Sequence, residues 1–225
     1  MSSSNFVNVT NATYPLTAYP SKLINYLIKR YKLKKKSKIL EIGCGRGEFL
    51  NEFIKKEMQG YGVDISNYAQ SFCPNAKIIT MDLENEKIPY DDNEFDIIYS
   101  KSFIEHLYYP EKVFEEAYRV LKPGGIIITL VPEYTYISDT FYDDYSHRTP
   151  WTKTSIDLIQ KVCNYQNIQV ESFKQLPILW KQSPFIYFLK LLSFLTRIFI
   201  PSYFKKKSKW VRFSKEIMLL STAYK

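Results

Sequence analysis

Residues 41–47 read EIGCGRG, which puts three of the chain's seven glycines at alternate positions directly behind an apolar run. Glycine costs conformational entropy and is useful mainly where the backbone turns left-handed or closes on a ligand. A glycine turn behind a short apolar strand belongs at the strand's carboxyl end, ahead of a helix, where open α/β sheets bind their ligands. That requirement narrows the fold more than any other single stretch.

The flanking pattern agrees with it. Residues 37–42 read as a first strand, and a helix starts over 47–56. Further strands are predicted at 61–65, 77–82, 95–100, 126–131, 168–173 and 216–223, with helices at 110–121 and 153–165. In the helix over 110–121, Val113, Phe114, Ala117, Val120 and Leu121 share one side. Alternating strands and helices argue for an α/β fold, a mostly parallel sheet with helices on both faces. Residues 21–32 read as an amphipathic helix N-capped by Ser21 that lids the ligand, and the preceding segment from Tyr14 to Pro20 as a border of the acceptor site. The length suits one domain, 1–225, with 1–36 as an N-terminal lid and 177–214 as an insertion.

Composition excludes general disorder, since 45% of residues are apolar and 16% aromatic. Cys44, Cys73 and Cys163 are odd in number and lack paired or metal-like spacing, which reads as a reducing, cytoplasmic setting. Asn8 and Asn11 each start a glycosylation-acceptor triplet, but no apolar signal stretch precedes them and they read as chance.

The ligand is narrowed by acids. The dinucleotide fingerprint is G-x-G-x-x-G, and here its last position holds Glu48. Glu48 and Glu41 around the turn would repel a pyrophosphate and suit an ammonium group, so the expected ligand is a nucleoside carrying an amino acid. Asp64 ends the second strand, where a carboxylate can accept ribose hydroxyls. Asp82 ends the third and could accept from an adenine amino group, with Leu83 against the ring.

These stretches resemble the class I S-adenosylmethionine (SAM)-dependent methyltransferases, in the type 11-like branch that methylates small molecules, lipids and glycans. The resemblance rests on EIGCGRG (41–47), GVDIS (62–66), MDLENEKIPYDDNEFDIIYS (81–100), EHL (105–107) and RVLKPGG (119–125). It implies a Rossmann-like sheet of seven strands, the last antiparallel, and SAM as cofactor. By the resemblance, Glu41, Gly43, Cys44, Gly45 and Gly47 cradle the methionine part. Asp64 with Ile65 would hold the ribose, Asp82 with Leu83 the adenine, and Ser100 completes the cofactor set.

Methyl transfer to a hydroxyl benefits from a general base or a metal. The chain has two histidines, His106 after the fourth strand and His147 after the fifth. In one reading His147 is the base, oriented by Asp143 or Asp144. In the other, Glu105, His106 and His147 bind a divalent cation. Small-RNA 3′-end 2′-O-methyltransferases are similar here, with an E-x-x-E-H metal motif and a later histidine ahead of a Trp-Thr pair, as His147 stands ahead of Trp151-Thr152. Ser102 replaces the first glutamate of that motif and leaves three candidate ligands, which puts the metal second to the base.

Residues 178–214 hold eight basic residues and no acid, enough to account for the net charge of +8. Over 184–200 the polar positions are Lys190, Ser193, Thr196 and Arg197, a narrow stripe on an otherwise apolar helix. Peripheral membrane contact through 184–209, a cap on the protein's own core, and a homodimer contact all fit, and nucleic acid fits less well. The expected activity is SAM-dependent O-methylation of a hydroxyl on a sugar, a lipid-linked glycan or another amphipathic small molecule. RNA 2′-O-methylation and a non-catalytic SAM-binding partner subunit are the alternatives.

Overall fold

A computed structural model describes residues 15–181 and 183–225. The Asn8 and Asn11 triplets and Tyr14 lie outside the described residues. The sheet has seven strands in the order β3-β2-β1-β4-β5-β7-β6. They are β1 (Lys38–Ile42), β2 (Gln59–Asp64), β3 (Lys77–Thr80), β4 (Phe95–Lys101), β5 (Leu121–Pro132), β6 (Gln166–Lys174) and β7 (Ile217–Tyr224). β1 to β5 pair in parallel, and β7 runs antiparallel to both of its neighbours. The predicted seven-stranded sheet with an antiparallel last strand is therefore present.

β1 reads KILEI and buries every residue after the first, as a central strand covered on both faces must. Alternate residues feed opposite layers. Leu40 and Ile98 pack with Phe114, Val120 and Ile156 on one face, while Ile39, Ile97 and Tyr99 pack with Leu23, Leu27 and Phe53 on the other. The first face is covered by α4 (Pro110–Val120) and α6 (Lys153–Val162), the second by α1 (Tyr19–Tyr31) and α2 (Glu48–Ile54). α4 starts on Pro110, whose missing N–H costs nothing in a first turn, and buries Val113, Phe114, Ala117 and Val120. Two shorter helices follow β2 and β5, α3 (Tyr68–Phe72) and α5 (Tyr134–Ile137).

Two local readings are corrected. Ser21 does not cap the first helix: α1 begins at Tyr19 behind Ala18 and has no side-chain cap. Pro20 occupies its first turn, where no donor is needed, so the helix begins before the serine. The fifth strand, expected over 126–131, begins at Leu121, and Pro123-Gly124-Gly125 lies inside it. Pairing with β4 jumps from Phe95↔Leu121 to Ile97↔Ile126, and the Pro-Gly-Gly segment loops out as a bulge between the two.

Sheet growth reverses between β1 and β4, so the carboxyl ends of these strands flank a crevice. The insertion forms α7 (Phe185–Phe199) and α8 (Lys209–Lys215) ahead of β7. No described helix is long and apolar enough to cross a membrane.

Candidate active site

The glycine turn occupies the crevice. Gly43, Gly45 and Gly47 have φ of 72°, 51° and 71°, the left-handed region that side chains resist. A Cβ on Gly43 would lie 2.2 Å from the Phe103 ring, so the turn and the segment after β4 touch only because that atom is missing. Asp64, at the end of β2, holds the turn from beneath. Its Oδ2 accepts from Gly45 N at 2.8 Å, and its Oδ1 accepts from Ser66 N and Ser66 Oγ at 2.8 Å each. Ile65 beside it is half-buried.

Glu41 is buried, and one of its oxygens, Oε2, has no partner among the described residues. Burial holds its carboxyl well above the usual range, despite a backbone hydrogen bond from Leu50, and the charge of Asp64 adds to the rise. A buried acid with an open oxygen accommodates a cation at low cost. Ser100 near the end of β4 is also buried, its hydroxyl without a partner among the described residues. Cys44 is buried against Gly62, where a Cβ would meet its Sγ at 2.9 Å. Glu48, read in the sequence as waiting for a cationic ligand, is instead ion-paired with Arg46. Asp82 caps its own turn, accepting from Glu84 N at 3.1 Å and from Asn85 Nδ2 at 2.8 Å, with Leu83 buried beside it.

The second half of the site joins two loops forty residues apart in sequence. Glu105 and His106 lie in the short 3₁₀ turn Ile104–His106 after β4. The Glu105 carbonyl accepts from Arg148 N at 2.8 Å and Thr149 N at 3.1 Å, and Thr149 Oγ1 donates to the Leu107 carbonyl at 2.7 Å. These bonds draw the His147 loop onto the turn. The two imidazole centres then stand 5.0 Å apart, and one ligand atom from each of Glu105, His106 and His147 lies within 4.8 Å of the others.

Hydrogen bonds set both tautomers. His147 Nδ1 lies 2.6 Å from the Phe141 carbonyl, which can only accept, so Nδ1 carries the proton and Nε2 keeps its lone pair. His106 Nδ1 lies 2.9 Å from Ser146 Oγ, and that hydroxyl donates to Asp144 Oδ1 at 2.6 Å. Ser146 therefore accepts from His106, whose Nε2 is again the open nitrogen. Asp144 thus orients His106 through Ser146, and the Phe141 carbonyl orients His147. Of the two aspartates expected to serve His147, Asp143 is exposed, whereas Asp144 Oδ2 lies 4.0 Å from His147 Nε2 as well as holding Ser146.

Burial, and then the neighbouring His147, push the His106 imidazole below its usual range. The Glu105 carboxyl is pushed up to about 8 by burial, and its Oε2 has no partner among the described residues. Raised that far, the Glu105 carboxyl holds its proton near neutral pH, so the acceptors of the group are the open imidazole nitrogens. Ser102, where the glutamate of the similar motif would stand, is engaged elsewhere. Its backbone is strained at φ 52°, and its hydroxyl accepts from Lys101 Nζ at 3.2 Å.

Sequence reasoning missed three participants. Ser146 and the Phe141 carbonyl set the imidazoles, and only Asp144-x-Ser146, an Asx-turn spacing, carried a signal. Lys101 lies over the rings of Phe49 and Tyr19, at 5.5 and 5.9 Å, and burial pulls its ammonium down to about 8.

The methyltransferase-domain family matches residues 40–129, which span the glycine turn, β4, the Glu105–His106 turn and most of β5. An uncharacterized protein of Methanocaldococcus jannaschii is 26% identical over 181 residues, 76% of this chain and 73% of its own length. A sterol 24-C-methyltransferase of Schizosaccharomyces pombe is 32% identical over 114 residues, 45% of this chain. The match spans only 29% of the sterol enzyme's length. The crystal structure of a SAM-dependent methyltransferase from Archaeoglobus fulgidus shares the fold with a TM-score of 0.65, at 21% identity over 91% of this chain and 94% of that one.

Proposed function

We propose that this chain is a class I SAM-dependent methyltransferase and that it methylates a hydroxyl of an amphipathic acceptor, a sugar or a lipid-linked glycan. The observation that carries the reading is the group of Glu105, His106 and His147 beyond the carboxyl end of β4, with both imidazoles held through Nδ1. A hydroxyl is the acceptor that gains most from such a group, because its proton is far too tightly held to leave unaided near neutral pH.

When bound, SAM supplies a methyl group on a sulfonium that is already an excellent leaving group. The chain's task is placement and proton removal. Glu41, with its open buried oxygen, receives the ammonium of the methionine part, and the turn of Gly43, Cys44, Gly45 and Gly47 wraps it. Asp64 spends three hydrogen bonds on the turn and Ser66. A lone pair on Oδ2 remains for the ribose, with Ile65 beside it. Asp82 and Leu83 take the adenine, and the Ser100 hydroxyl supplies a further polar contact.

The acceptor hydroxyl donates to Nε2 of His147, held by the Phe141 carbonyl, or of His106, held by the Ser146–Asp144 pair. Glu105, whose carboxyl burial pushes up to about 8, can take up that proton only in its ionised form, so its contribution grows as pH rises toward 8. A second reading is favoured by the same group. One carboxylate oxygen and two imidazole nitrogens suit a borderline divalent cation such as zinc or manganese, which would lower the acceptor's pKa.

The test uses SAM labelled on its methyl group with a lysate of the source cell, separated into lipid, polysaccharide, RNA and protein fractions, with and without EDTA. Label recovered as a methyl ether in the lipid or glycan fraction is the expected result. Sensitivity to EDTA selects the cation reading over the base reading. Label at RNA 3′ ends, or on nitrogen or carbon, overturns the acceptor assignment. His147→Ala should leave SAM binding intact and cost at least about 10²-fold in rate.

A further inference from the structure

Helix α7 is built with its polarity inverted. Among its buried positions are Ser193 and Thr196, while Tyr187, Phe188, Leu191, Phe194, Ile198 and Phe199 are all exposed. Each residue turns the helix by about 100°. On that wheel Ile186, Leu189, Ser193 and Thr196 form the inward stripe, and the exposed apolar side chains sweep an arc of roughly 160°. A helix that rested on its own protein in water would place those faces the other way round.

The orientation is specified by hydrogen bonds. Ser193 Oγ donates to Ser214 Oγ at 3.0 Å and accepts from Lys174 Nζ at 3.3 Å. Thr196 Oγ1 donates to the Leu192 carbonyl at 2.8 Å and accepts from Trp210 Nε1 at 3.0 Å. Lys215 Nζ donates to the Arg197 carbonyl at 2.8 Å. Rotating α7 to hide its apolar arc would break these bonds and leave buried polar groups without partners. An apolar face of this size, continued by exposed Tyr203 and Phe204, exceeds the scattered exposure normal for a folded surface.

Charge decides what covers it. Residues 178–214 contain no acid. Among the described residues, Lys190, Lys207 and Lys209 are exposed and form no ion pair. Lys190 and Arg197 lie along one edge of the apolar arc, and Lys207 rests on the Tyr203 ring at 4.7 Å. A second copy of the chain would bring two identical basic rims to one seam. A nucleic acid would set phosphates against leucine and phenylalanine. A bilayer with anionic headgroups satisfies both surfaces together, with the apolar arc at the acyl boundary and the lysines at headgroup level.

We propose that the outer face of α7, with the Tyr203–Lys209 segment, docks the protein peripherally on an anionic lipid surface. The Arg197 guanidinium lies 4.8 Å from the Tyr136 ring centre, which ties the insertion to the segment between β5 and His147. Docking therefore brings the acceptor side toward the lipid. That consequence rests on the acceptor reading above, whereas the docking does not.

The experiment is co-sedimentation of the full chain with phosphatidylcholine vesicles, with and without phosphatidylglycerol, and it needs no methyl transfer. The wild-type protein should bind the phosphatidylglycerol vesicles and release at high salt. Phe188→Ser with Leu195→Ser changes only exposed positions, so the melting temperature and SAM affinity should hold while vesicle affinity falls at least about tenfold. Lys190→Glu with Lys207→Glu should remove the preference for phosphatidylglycerol. Three results overturn the proposal. They are no wild-type binding, binding unchanged by both variants, and a wild-type dimer in sedimentation equilibrium that the serine variant converts to monomer.

Discussion

Glu105→Gln tests the central cluster through stability alone, before any acceptor is known. With divalent cations chelated, burial pushes the Glu105 carboxyl from its ordinary 4.5 up to about 8. A carboxyl raised in the folded state favours folding fully below its unfolded pKa, and that contribution is lost as pH rises toward the folded value. Within the window each pH unit is worth about 1.4 kcal/mol, so between about pH 6 and about pH 8 the wild type should lose roughly 2 kcal/mol that the glutamine variant does not. Lys101, pulled down to about 8, works in the opposite direction, but it is present in both proteins and largely cancels in the difference. Urea denaturation of both proteins across this range, with EDTA, reads the quantity directly. Parallel pH curves would refute the reasoning, because they would mean that Glu105 is hydrated or paired in the folded chain.

Three further outcomes follow from individual contacts. Asp64→Ala frees Gly45 N, Ser66 N and Ser66 Oγ at once and should weaken SAM binding at least about 10²-fold by calorimetry; unchanged affinity would remove it from the site. Ser146→Ala should leave SAM affinity intact, lower kcat by about three- to tenfold, and shift the pH–rate profile, because the hydroxyl acts only through His106. Gly43→Ala combines a left-handed φ with a clash against Phe103 and should lower the melting temperature, and Phe103→Ala should relieve only the steric part.

The parts legible in the sequence are those made by neighbours along the chain. EIGCGRG marks its own turn because alternate glycines, an apolar strand before and a helix after are all local. Asp64 announces itself as a strand-end acid for the same reason, whereas Asp82, expected to end the third strand, lies two residues past β3 in a turn. Pairings across space were not legible. Nothing in the composition says that Arg46 neutralises Glu48, or that Asp144 reaches His106 through Ser146. The two histidines meet because the Glu105 carbonyl takes two N–H groups from residues 148 and 149, and a backbone acceptor leaves no trace in a motif. The stripe of Lys190, Ser193, Thr196 and Arg197 was readable as a stripe, but the helical wheel does not say which side meets the protein. The hydroxyls of Ser193 and Thr196 turned inward because Ser214, Lys174 and Trp210 were there to pair with them.

Glu41 extends the same electrostatic argument to the cofactor. Its carboxyl is buried with one oxygen unpaired and is held well above the usual range by that burial. In the ligand-free chain the neutral acid therefore persists to higher pH than in an exposed carboxyl. An ammonium placed beside it reverses the preference, since an opposite charge at close range favours the ionised carboxylate. Binding of SAM should then release up to one proton, and apparent affinity should rise with pH up to the carboxyl's ligand-free pKa, about tenfold per unit for full release. Calorimetry in two buffers of different ionisation enthalpy measures the released proton directly. Glu41→Gln should abolish the buffer dependence and weaken binding, because an amide cannot supply the charge. A binding enthalpy independent of buffer in the wild type would show that Glu41 is already ionised or does not face the ammonium. The methionine part would then have to be held by the backbone of the glycine turn alone.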